Sequence, residues 1–381
     1  MMTITNGVNQ SYARLINNEL VLNKIKEKKE ISATLISQET NLSSASVSSI
    51  IKELLNSKII KISKSESVSG VGRKQVYYSL NEEYGLVVVV SLSDKKSRLV
   101  ITNIKEEILF DISKKIKVYN RYIIYELILE IKKLIETSKY RDIPIKHVIV
   151  SVPGRVSKNN ELQLSKHFDK DLFEKGNTIL DLFEKYFTCD VEIHNDIALQ
   201  VYGEKANGFL KEVENALLVH IDEGIGSVLL INGTPYRGEN GFAGEIGLIK
   251  VCDHNKTDCL DEFVSLRALK EKNNCSSVEE LVEKYKNDTN TCASILDSAA
   301  LIGSTFKDLQ EYLNVSKILV SGRVKEFKEE YLKILQNEVD KAFASCPVQF
   351  SNLGNDAIIL GGINRALNQL IKENSACVFN K

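Results

Sequence analysis

The side chains best suited to recognising another molecule form a run of short polar residues near the N-terminus. The run comprises Ser43, Ser44, Ala45, Ser46, Ser48 and Ser49. Hydroxyl groups of this size can hydrogen bond to phosphate oxygens and to base edges, and small side chains let the backbone that carries them approach closely. If these residues begin a helix, the pattern is typical of a surface that enters the major groove of DNA.

A second candidate contact follows in the segment SESVSGVGRKQ. Gly70 and Gly72 have no side chain to hold the backbone away from a partner, and Arg73 with Lys74 supplies cations for phosphates or for the minor groove. The segment lies between two strand-like runs, KIIKIS and VYYSL, and therefore predicts a hairpin with a basic tip. Beside a recognition helix, such a hairpin is a wing.

The apolar pattern around the serines predicts two short helices joined by a tight turn. Ser32 is a good cap for the first helix, Asn41 stands at the turn, and Ser43 or Ser44 can cap the second. The apolar face of the first helix is predicted to be Leu35 and Ile36. The buried face of the second is predicted to be Val47, Ile50, Ile51 and Leu54. An earlier helical stripe consists of Leu15, Val21, Leu22 and Ile25. Together these elements predict a winged helix-turn-helix.

Charge is distributed unevenly along the chain. Residues 1–80 hold eleven Lys and Arg against six Glu and no Asp, a net +5, whereas the remaining residues carry a net −6 and the whole chain −1. A basic head on an acidic body is typical of proteins that bind double-stranded DNA. The alternative is a three-helix bundle with an ordinary solvated surface and an unrelated hairpin. Because the predicted recognition helix holds no Lys or Arg before Lys52, one head should bind weakly, and we expect a homodimer or a tetramer.

Length and composition exclude several classes of protein. A chain of 381 residues with 43% hydrophobic and 27% charged residues predicts two or three globular domains. No run approaches the roughly 18 apolar residues that span a bilayer, and the segment MMTITNGVNQSYAR lacks the apolar core of a signal peptide. The seven scattered cysteines favour reduced thiols over a disulfide framework. We therefore expect a cytoplasmic protein with no membrane partner.

From Tyr84 onward, β-branched runs alternate with amphipathic segments. YGLVVVVSLS, SRLVITNI and EEILFDI predict three successive strands, followed by a helix near residues 121–138. KHVIVSVPG predicts another strand, and residues 213–233 open a second cycle with two strands joined by a turn. The alternation indicates α/β layers, and the two similar openings predict a duplicated fold with a cleft between its halves.

A series of motifs along nearly the whole chain resembles the ROK family, whose name stands for repressor, open reading frame and kinase. In addition to the helix-turn-helix and the wing, they are SVPGRV, HNDIALQVYGE, GFAGEIGL, CLDEFVSLRAL, ILVSGRV and AIILGGINRAL. The resemblance implies an actin-like, two-lobed sugar-kinase fold behind an N-terminal winged helix. It places the DNA-binding domain at residues 1–80 and the two lobes at 81–195 and 196–381, with the final helix free to return to the first lobe.

The resemblance also bears on whether this protein phosphorylates a sugar or only binds one, because two phosphate-binding loops of the ROK kinases are altered in this sequence. The D-x-G-G-T turn reads SLSDK at residues 91–95, and the G-T-G-I-G loop reads DEGIG at residues 222–226. Glycines are needed where backbone N–H groups cradle a phosphate, and the carboxylates that replace them repel it. The sequence therefore predicts a protein that is not an enzyme.

The sugar-binding residues that the resemblance implies are better kept. Asn195, Asp196 and Glu245 match sugar contacts of the family, Gly154, Gly241 and Gly244 would shape the pocket wall, and Asp261 stands where the family has a glutamate. Amide and carboxylate oxygens suit sugars because they form paired hydrogen bonds with neighbouring hydroxyls. Two departures from the family pattern are Leu248 in place of a histidine and Asp261 in place of a glutamate. They indicate a changed sugar or a non-sugar effector, and Asp196 and Glu245 could instead be turn or capping residues.

The same resemblance raises the question of a structural zinc site. Cys252, His254 and Cys259 align with three zinc ligands of the family, but Leu248 replaces the fourth. Because structural zinc is almost always four-coordinate, we expect no cofactor, and a lone solvated His254 is an equally good interpretation. His147, His167 and His220 stand in no motif.

Taken together, the sequence predicts a DNA-binding transcriptional regulator, a repressor of a sugar-utilisation operon with a small-molecule sugar effector. Xylose is the first choice, because xylose-operon repressors are the branch of the family that the chain resembles most. Two alternatives remain open: a residual sugar kinase, and a DNA-binding regulator whose body serves only for oligomerisation or for a protein partner.

Overall fold

A computed structural model describes residues 10–66, 75–93, 96–116, 118–165, 167–253 and 256–377. The chain divides into two compact units. The first takes in the described parts of Met1–Val150, His167–Glu192 and Ile363–Lys381, and the second takes in those of Ser151–Lys166 and Ile193–Gly362. This division keeps residues 1–80 in one unit with the first lobe. It also assigns residues 151–166 to the second unit, whereas the boundaries drawn from the sequence placed them in the first lobe.

The N-terminal head is a winged helix. Its elements are α1 (Gln10–Lys28), β1 (Ile31–Ser32), α2 (Ala33–Thr40), α3 (Ser44–Asn56), β2 (Ile60–Glu66) and β3 (Gln75–Leu80). The strands form a sheet in the order β1-β3-β2. The predicted wing is therefore a strand pair, while its tip, with Gly70, Gly72, Arg73 and Lys74, lies outside the described residues.

Local sequence explains how the two helices of the head begin and end. Ser32 caps α2 by accepting the Leu35 N–H, and Asn41 ends it with a left-handed φ of 56°. Ser43 caps α3 by accepting the Ser46 N–H at 3.1 Å. The predicted face Val47, Ile50, Ile51 and Leu54 is buried, as are Val21, Leu22 and Ile25 of α1. The prediction for Leu35 is wrong: it is 39% exposed, because the eight-residue α2 buries only the face that carries Ile36.

The first lobe is built on a five-stranded sheet. The elements that follow the head are β4 (Leu86–Ser93), β5 (Lys96–Asn103), β6 (Ile108–Lys115), α4 (Arg121–Glu136), β7 (Ile145–Val152), β8 (Arg155–Val156), β9 (Leu162–Leu164), α5 (Ile179–Glu184) and β10 (Asp190–Asn195). The sheet order is β10-β7-β4-β5-β6, with β4, β5 and β6 antiparallel. The three predicted strands and the helix near residues 121–138 are confirmed. The short pair β8-β9 belongs to the second unit.

The second unit repeats the opening of the first and then diverges. Its further elements are α6 (Asp196–Asn207), β11 (Ala216–Ile221), β12 (Ile225–Ile231), β13 (Thr234–Pro235), β14 (Lys250–Asp253), β15 (Lys256–Cys259), α7 (Asp261–Val264), α8 (Leu266–Lys272), α9 (Val278–Asn287), α10 (Thr289–Leu313), β16 (Lys317–Ser321), α11 (Lys328–Val339), β17 (Val348–Phe350) and α12 (Asp356–Cys377). A five-stranded sheet runs β13-β12-β11-β16-β17, in which β16 is parallel to both β11 and β17.

Both faces of this second sheet are covered. Successive residues of β11 point to opposite faces and pack in two different hydrophobic clusters. Leu217 and Val219 pack in a core with Phe306 of α10 and Leu335 of α11. Leu218, on the opposite face, packs with residues of α6 and β12. Helix α6 in turn crosses α12 so closely that a Cβ at Gly203 would overlap the backbone of Ala357. These contacts fix the position of α6, whose first turn carries Asn195 and Asp196.

No helix among the described residues has the length and apolar content needed to cross a bilayer.

Candidate functional site

The exposed face of α3 carries the predicted DNA-contacting residues. Ser44, Ala45, Ser48 and Ser49 are all exposed, and Lys52 lies one turn beyond them on the same helix. Ser43 and Ser46 are also exposed, but their hydroxyls lie 2.9 Å apart and Ser43 is committed to the cap. The first turn of α3 therefore offers hydroxyls and unpaired backbone N–H groups at the positive end of a helix, which is a favourable arrangement for phosphate.

Several cations of the head are neutralised by neighbouring carboxylates. Arg14 pairs with Glu53 and Lys61 with Glu82, while Lys28 Nζ lies 3.1 Å from Glu39. The net +5 counted from the sequence is therefore partly internal to the fold. Fewer of these cations are therefore available to another molecule than the sequence count suggested.

A pocket in the second unit holds most of the predicted effector residues. Its empty space amounts to about 580 Å³, part of which is open solvent. Its walls come from the turn after β7, the first turn of α6, the strand β12 and the loop 235–245. Among the predicted residues, those that line it are Gly154, Asn195, Gly241, Gly244 and Glu245.

Asn195 connects two walls of this pocket. Its Oδ1 accepts the N–H groups of Ile197 and Ala198 at 2.9 and 3.2 Å and so caps α6, while its Nδ2 donates to the carbonyl of Gly154 at 2.9 Å. Gly154 has a φ of 134°, a conformation that residues with a Cβ rarely adopt. Asn195 is therefore a structural residue of the pocket as well as one that lines it.

Glu245 is paired with a residue that the sequence analysis did not single out. Arg155 Nη2 donates to Glu245 Oε2 at 3.0 Å, and this hydrogen bond raises the pKa of Arg155. Both side chains are close to 40% exposed, so the pair is solvated and free to reorient toward a ligand. The only sequence signal for Arg155 is its position directly after the Pro-Gly turn, since a partner 90 residues away is not readable from spacing.

Arg237 is a second pocket residue that sequence reasoning missed. Its Nη2 donates to the carbonyls of Ser157 and Val156 at 2.9 and 3.4 Å. These hydrogen bonds tie the segment after β7 to the loop at residues 235–245 within the second unit. Two aromatic side chains, Tyr236 and Phe242, complete the same wall.

The two remaining predicted carboxylates do not line this pocket. Asp196 lies beside it, where its Oδ1 accepts the Ile197 N–H at 2.9 Å. Asp261 accepts the Ile225 N–H at 2.7 Å and pairs with Arg267 at 3.0 Å. Through these contacts the carboxylate of Asp261 holds the turn between β11 and β12.

That turn carries the altered phosphate loop of residues 222–226. Asp222 Oδ2 accepts the Arg323 N–H at 3.2 Å, and Glu223 pairs with Lys270 at 2.7 Å. A phosphate entering here would meet two carboxylates that already have partners. The other altered loop ends at residues 94–95, which lie outside the described residues.

The candidate zinc ligands lie on the hairpin β14-β15. Cys252 is opposite Thr257 and Cys259 is opposite Lys250, so the two thiols are diagonal neighbours on one face. Lys250 adjoins Cys259, and a hydrogen bond with that thiol is the largest of the effects that raise the pKa of the lysine. His254 lies outside the described residues.

Removing the Asn195 side chain should destabilise the unliganded protein. Asn195→Ala deletes the cap of α6 and the hydrogen bond to Gly154, and caps of this kind contribute about 1 kcal/mol each. We expect the free energy of unfolding to fall by about 1–2 kcal/mol, measured by urea denaturation. Asn207→Ala, at the opposite end of α6, is the matched control. Equal stability of the Asn195 variant and the wild type would contradict the capping role.

Comparison with known proteins agrees with this arrangement. The profile of the ROK family matches residues 95–366. A putative xylose repressor from a Caldicellulosiruptor species is 26% identical over 395 residues, covering 95% of this chain and 98% of that protein. A glucokinase from Halalkalibacterium halodurans is 26% identical over 215 residues, which is 48% of this chain and 65% of the kinase. Relatives of the chain thus include both repressors and kinases.

The fold is shared with a solved ROK family transcriptional regulator, a homologue of the Escherichia coli MLC protein. The two structures align with a TM-score of 0.79 at 20% identity, over 96% of this chain and 99% of the other. The predicted architecture, a winged helix-turn-helix followed by an actin-like ROK fold, is confirmed. Because the family profile covers well over half of its residues, this protein belongs to the ROK family.

Proposed function

We propose that this protein is a DNA-binding repressor whose ROK domain senses a sugar. One observation carries the proposal: a single chain contains both a helix-turn-helix with exposed serines and, in its second unit, a pocket lined by polar side chains. The head supplies the groove-reading helix α3, and the pocket supplies a site for a ligand of modest size. The likeness to xylose repressors along almost the full length of the chain supports the combination.

The pocket chemistry favours a neutral polyhydroxylated ligand. Glu245 accepts hydrogen bonds, Arg155 donates them, and Tyr236 and Phe242 can pack against the apolar face of a sugar ring. The carboxylate of Glu245 and the guanidinium of Arg155 are already paired, and the guanidinium of Arg237 is held by the carbonyls of Val156 and Ser157, so each charged group of the site has a partner in the protein. Xylose is the first candidate effector because it appears in the names of the repressors that the chain resembles.

A sugar kinase is the alternative that the relatives support, and the loop at residues 222–226 argues against it. In this loop Asp222 and Glu223 would have to leave their partners Arg323 and Lys270 before a phosphate could approach. Carboxylates beside a transferred phosphoryl group raise the barrier unless a metal compensates for them. We therefore propose that the ROK domain binds its sugar without phosphorylating it.

A dimer is part of the proposal, since one head offers few cations. Two copies would present two α3 helices to half-sites about one turn of DNA apart. The effector would act by favouring one of two spacings of the heads, and it can shift that equilibrium only through its different affinities for the two forms.

The test is thermal unfolding of the full-length protein with xylose, glucose and N-acetylglucosamine in turn. A ligand at about 100 times its dissociation constant adds roughly 2.7 kcal/mol to the free energy of unfolding, which is visible as a raised midpoint. We expect one sugar of the panel to give this shift without consuming ATP in a coupled assay. ATP consumption would make the protein a kinase. No shift with any sugar would favour a body used only for oligomerisation or for a protein partner.

A further inference from the structure

Three metal-ligating side chains meet in the first unit. His147 lies in β7, Asp190 begins β10, and Glu373 lies in the second half of α12. One donor atom from each residue lies within 4.8 Å of the other two, and this is the only such group among the described residues. Residues so distant in sequence reach this proximity only because β10 and β7 are neighbouring strands and α12 returns to them.

The histidine of this group is unusual because it is buried and lacks a hydrogen bond among the described residues. His147 is 0% exposed, and neither of its ring nitrogens makes a hydrogen bond within the described part of the chain. Its Nε2 is 3.2 Å from Glu192 Oε1, but without the geometry of a hydrogen bond. Glu192 is held in a two-point contact by Arg365, at 2.8 and 3.1 Å, which already compensates its charge. A buried imidazole without a partner is costly, so a ligand for it is expected.

Two carboxylates lie beside His147, since one oxygen each of Asp190 and Glu373 lies within 4.8 Å of the other and of a ring nitrogen of the histidine. Glu373 accepts one hydrogen bond from Gln369, at 2.8 Å. Two neighbouring carboxylates repel each other unless a proton or a metal ion lies between them.

We propose that His147, Asp190 and Glu373 bind a divalent first-row transition ion. One imidazole nitrogen with two carboxylate oxygens is a donor set suited to Mn²⁺ or Zn²⁺, with water completing the coordination. Ligand distances of about 2.0–2.2 Å require the three donors to draw together slightly, a movement within the reach of the Asp190 and Glu373 side chains. Asp190 is exposed, which provides the entry path for the ion.

The position of this site gives it a structural consequence for the head. Asn374, next to Glu373, accepts a hydrogen bond from the Tyr84 hydroxyl at 2.7 Å, directly after the winged helix. Six residues earlier on α12, the Asn368 side chain accepts a hydrogen bond from Lys26 of α1 at 3.1 Å. An ion that fastens Glu373 to β7 and β10 would therefore stiffen the helix on which the head rests.

The experiment titrates Mn²⁺ into the metal-free, full-length protein and follows the loss of the free Mn²⁺ signal by electron paramagnetic resonance. A background of Cys252→Ser and Cys259→Ser removes the thiols as competing ligands. We expect one ion per chain, a raised midpoint of thermal unfolding, and displacement of Mn²⁺ by Zn²⁺. Asp190→Asn and Glu373→Gln should each weaken binding by about tenfold or more, while Asp142→Asn, an exposed carboxylate elsewhere in the unit, should leave it unchanged.

Asp190→Asn is the decisive variant because Asp190 is exposed, and its replacement should leave the protein folded. Replacing the buried His147 could unfold the protein and so would be a less clear test. Absence of Mn²⁺ and Zn²⁺ binding to the metal-free protein would overturn the proposal. So would binding that neither Asp190→Asn nor Glu373→Gln weakens.

Discussion

Ser44→Glu should strongly weaken specific DNA binding while leaving the head folded. Ser44 is the first residue of α3 and is exposed, so the longer side chain meets no packed neighbour. A carboxylate in the first turn stabilises a helix by about 0.3–1 kcal/mol through the helix dipole. The same charge would face DNA phosphates in the complex. Stability and DNA affinity should therefore change in opposite directions, which a merely unfolded variant cannot imitate.

We expect the affinity for DNA to fall by about 100-fold or more, equivalent to about 2.7 kcal/mol. The DNA for this test is a duplex selected from a randomised pool with the wild-type protein. Binding is measured by fluorescence anisotropy. The salt concentration is held fixed because affinity for DNA depends strongly on it. Thr289→Glu is the matched control, because Thr289 is the exposed first residue of α10 in the second unit. If Ser44→Glu binds the duplex like the wild type, α3 is not the recognition helix.

Glu245→Gln should remove most of the stabilisation by sugar while changing the unliganded protein very little. The pair with Arg155 is about 40% exposed, and ion pairs of this kind contribute about 0–1 kcal/mol. A hydrogen bond between a ligand hydroxyl and a charged group contributes about 1.5–3 kcal/mol, so its loss weakens binding roughly 10- to 100-fold. At the sugar concentration that gives the wild type about 2.7 kcal/mol, the variant should gain only about 0.4–1.4 kcal/mol.

Thermal unfolding with and without the sugar measures this difference. Glu239→Gln is the matched control, because Glu239 pairs with Lys158 in the same unit and is 92% exposed. It should respond to sugar like the wild type. An undiminished response of Glu245→Gln would remove Glu245 from the effector site and leave Asn195 and the backbone of the loop as its polar groups.

The parts of the fold that could be predicted from the sequence are those decided by neighbouring residues. Ser32, Asn41 and Ser43 act within three or four positions of where they stand, and helix caps and left-handed turns have strong residue preferences. The face of α3 follows from a periodicity of 3.6 residues. Leu35 was placed wrongly because a helix of two turns has too few residues for its periodicity to distinguish adjacent positions.

The site was less predictable, because its contacts join residues that are distant along the chain. The resemblance to the family supplied Gly154, Asn195 and Glu245, but it could not show that Asp261 turns toward Ile225 and Arg267. Arg155 and Arg237 act through partners some 80 to 90 residues away. His147 belongs to no sequence motif because its neighbours in space, Asp190 and Glu373, come from other elements that are distant along the chain.

The measurement that tests the central claim most directly is the affinity of the full-length protein for its selected duplex, with and without the stabilising sugar. Coupling between an effector site and a DNA site typically changes affinity by 5- to 150-fold. We predict a change of at least about fivefold with saturating sugar in the wild type, and a smaller change with Glu245→Gln at the same concentration. Equal affinity with and without a sugar that demonstrably binds would contradict the account of this protein as a sugar-responsive repressor.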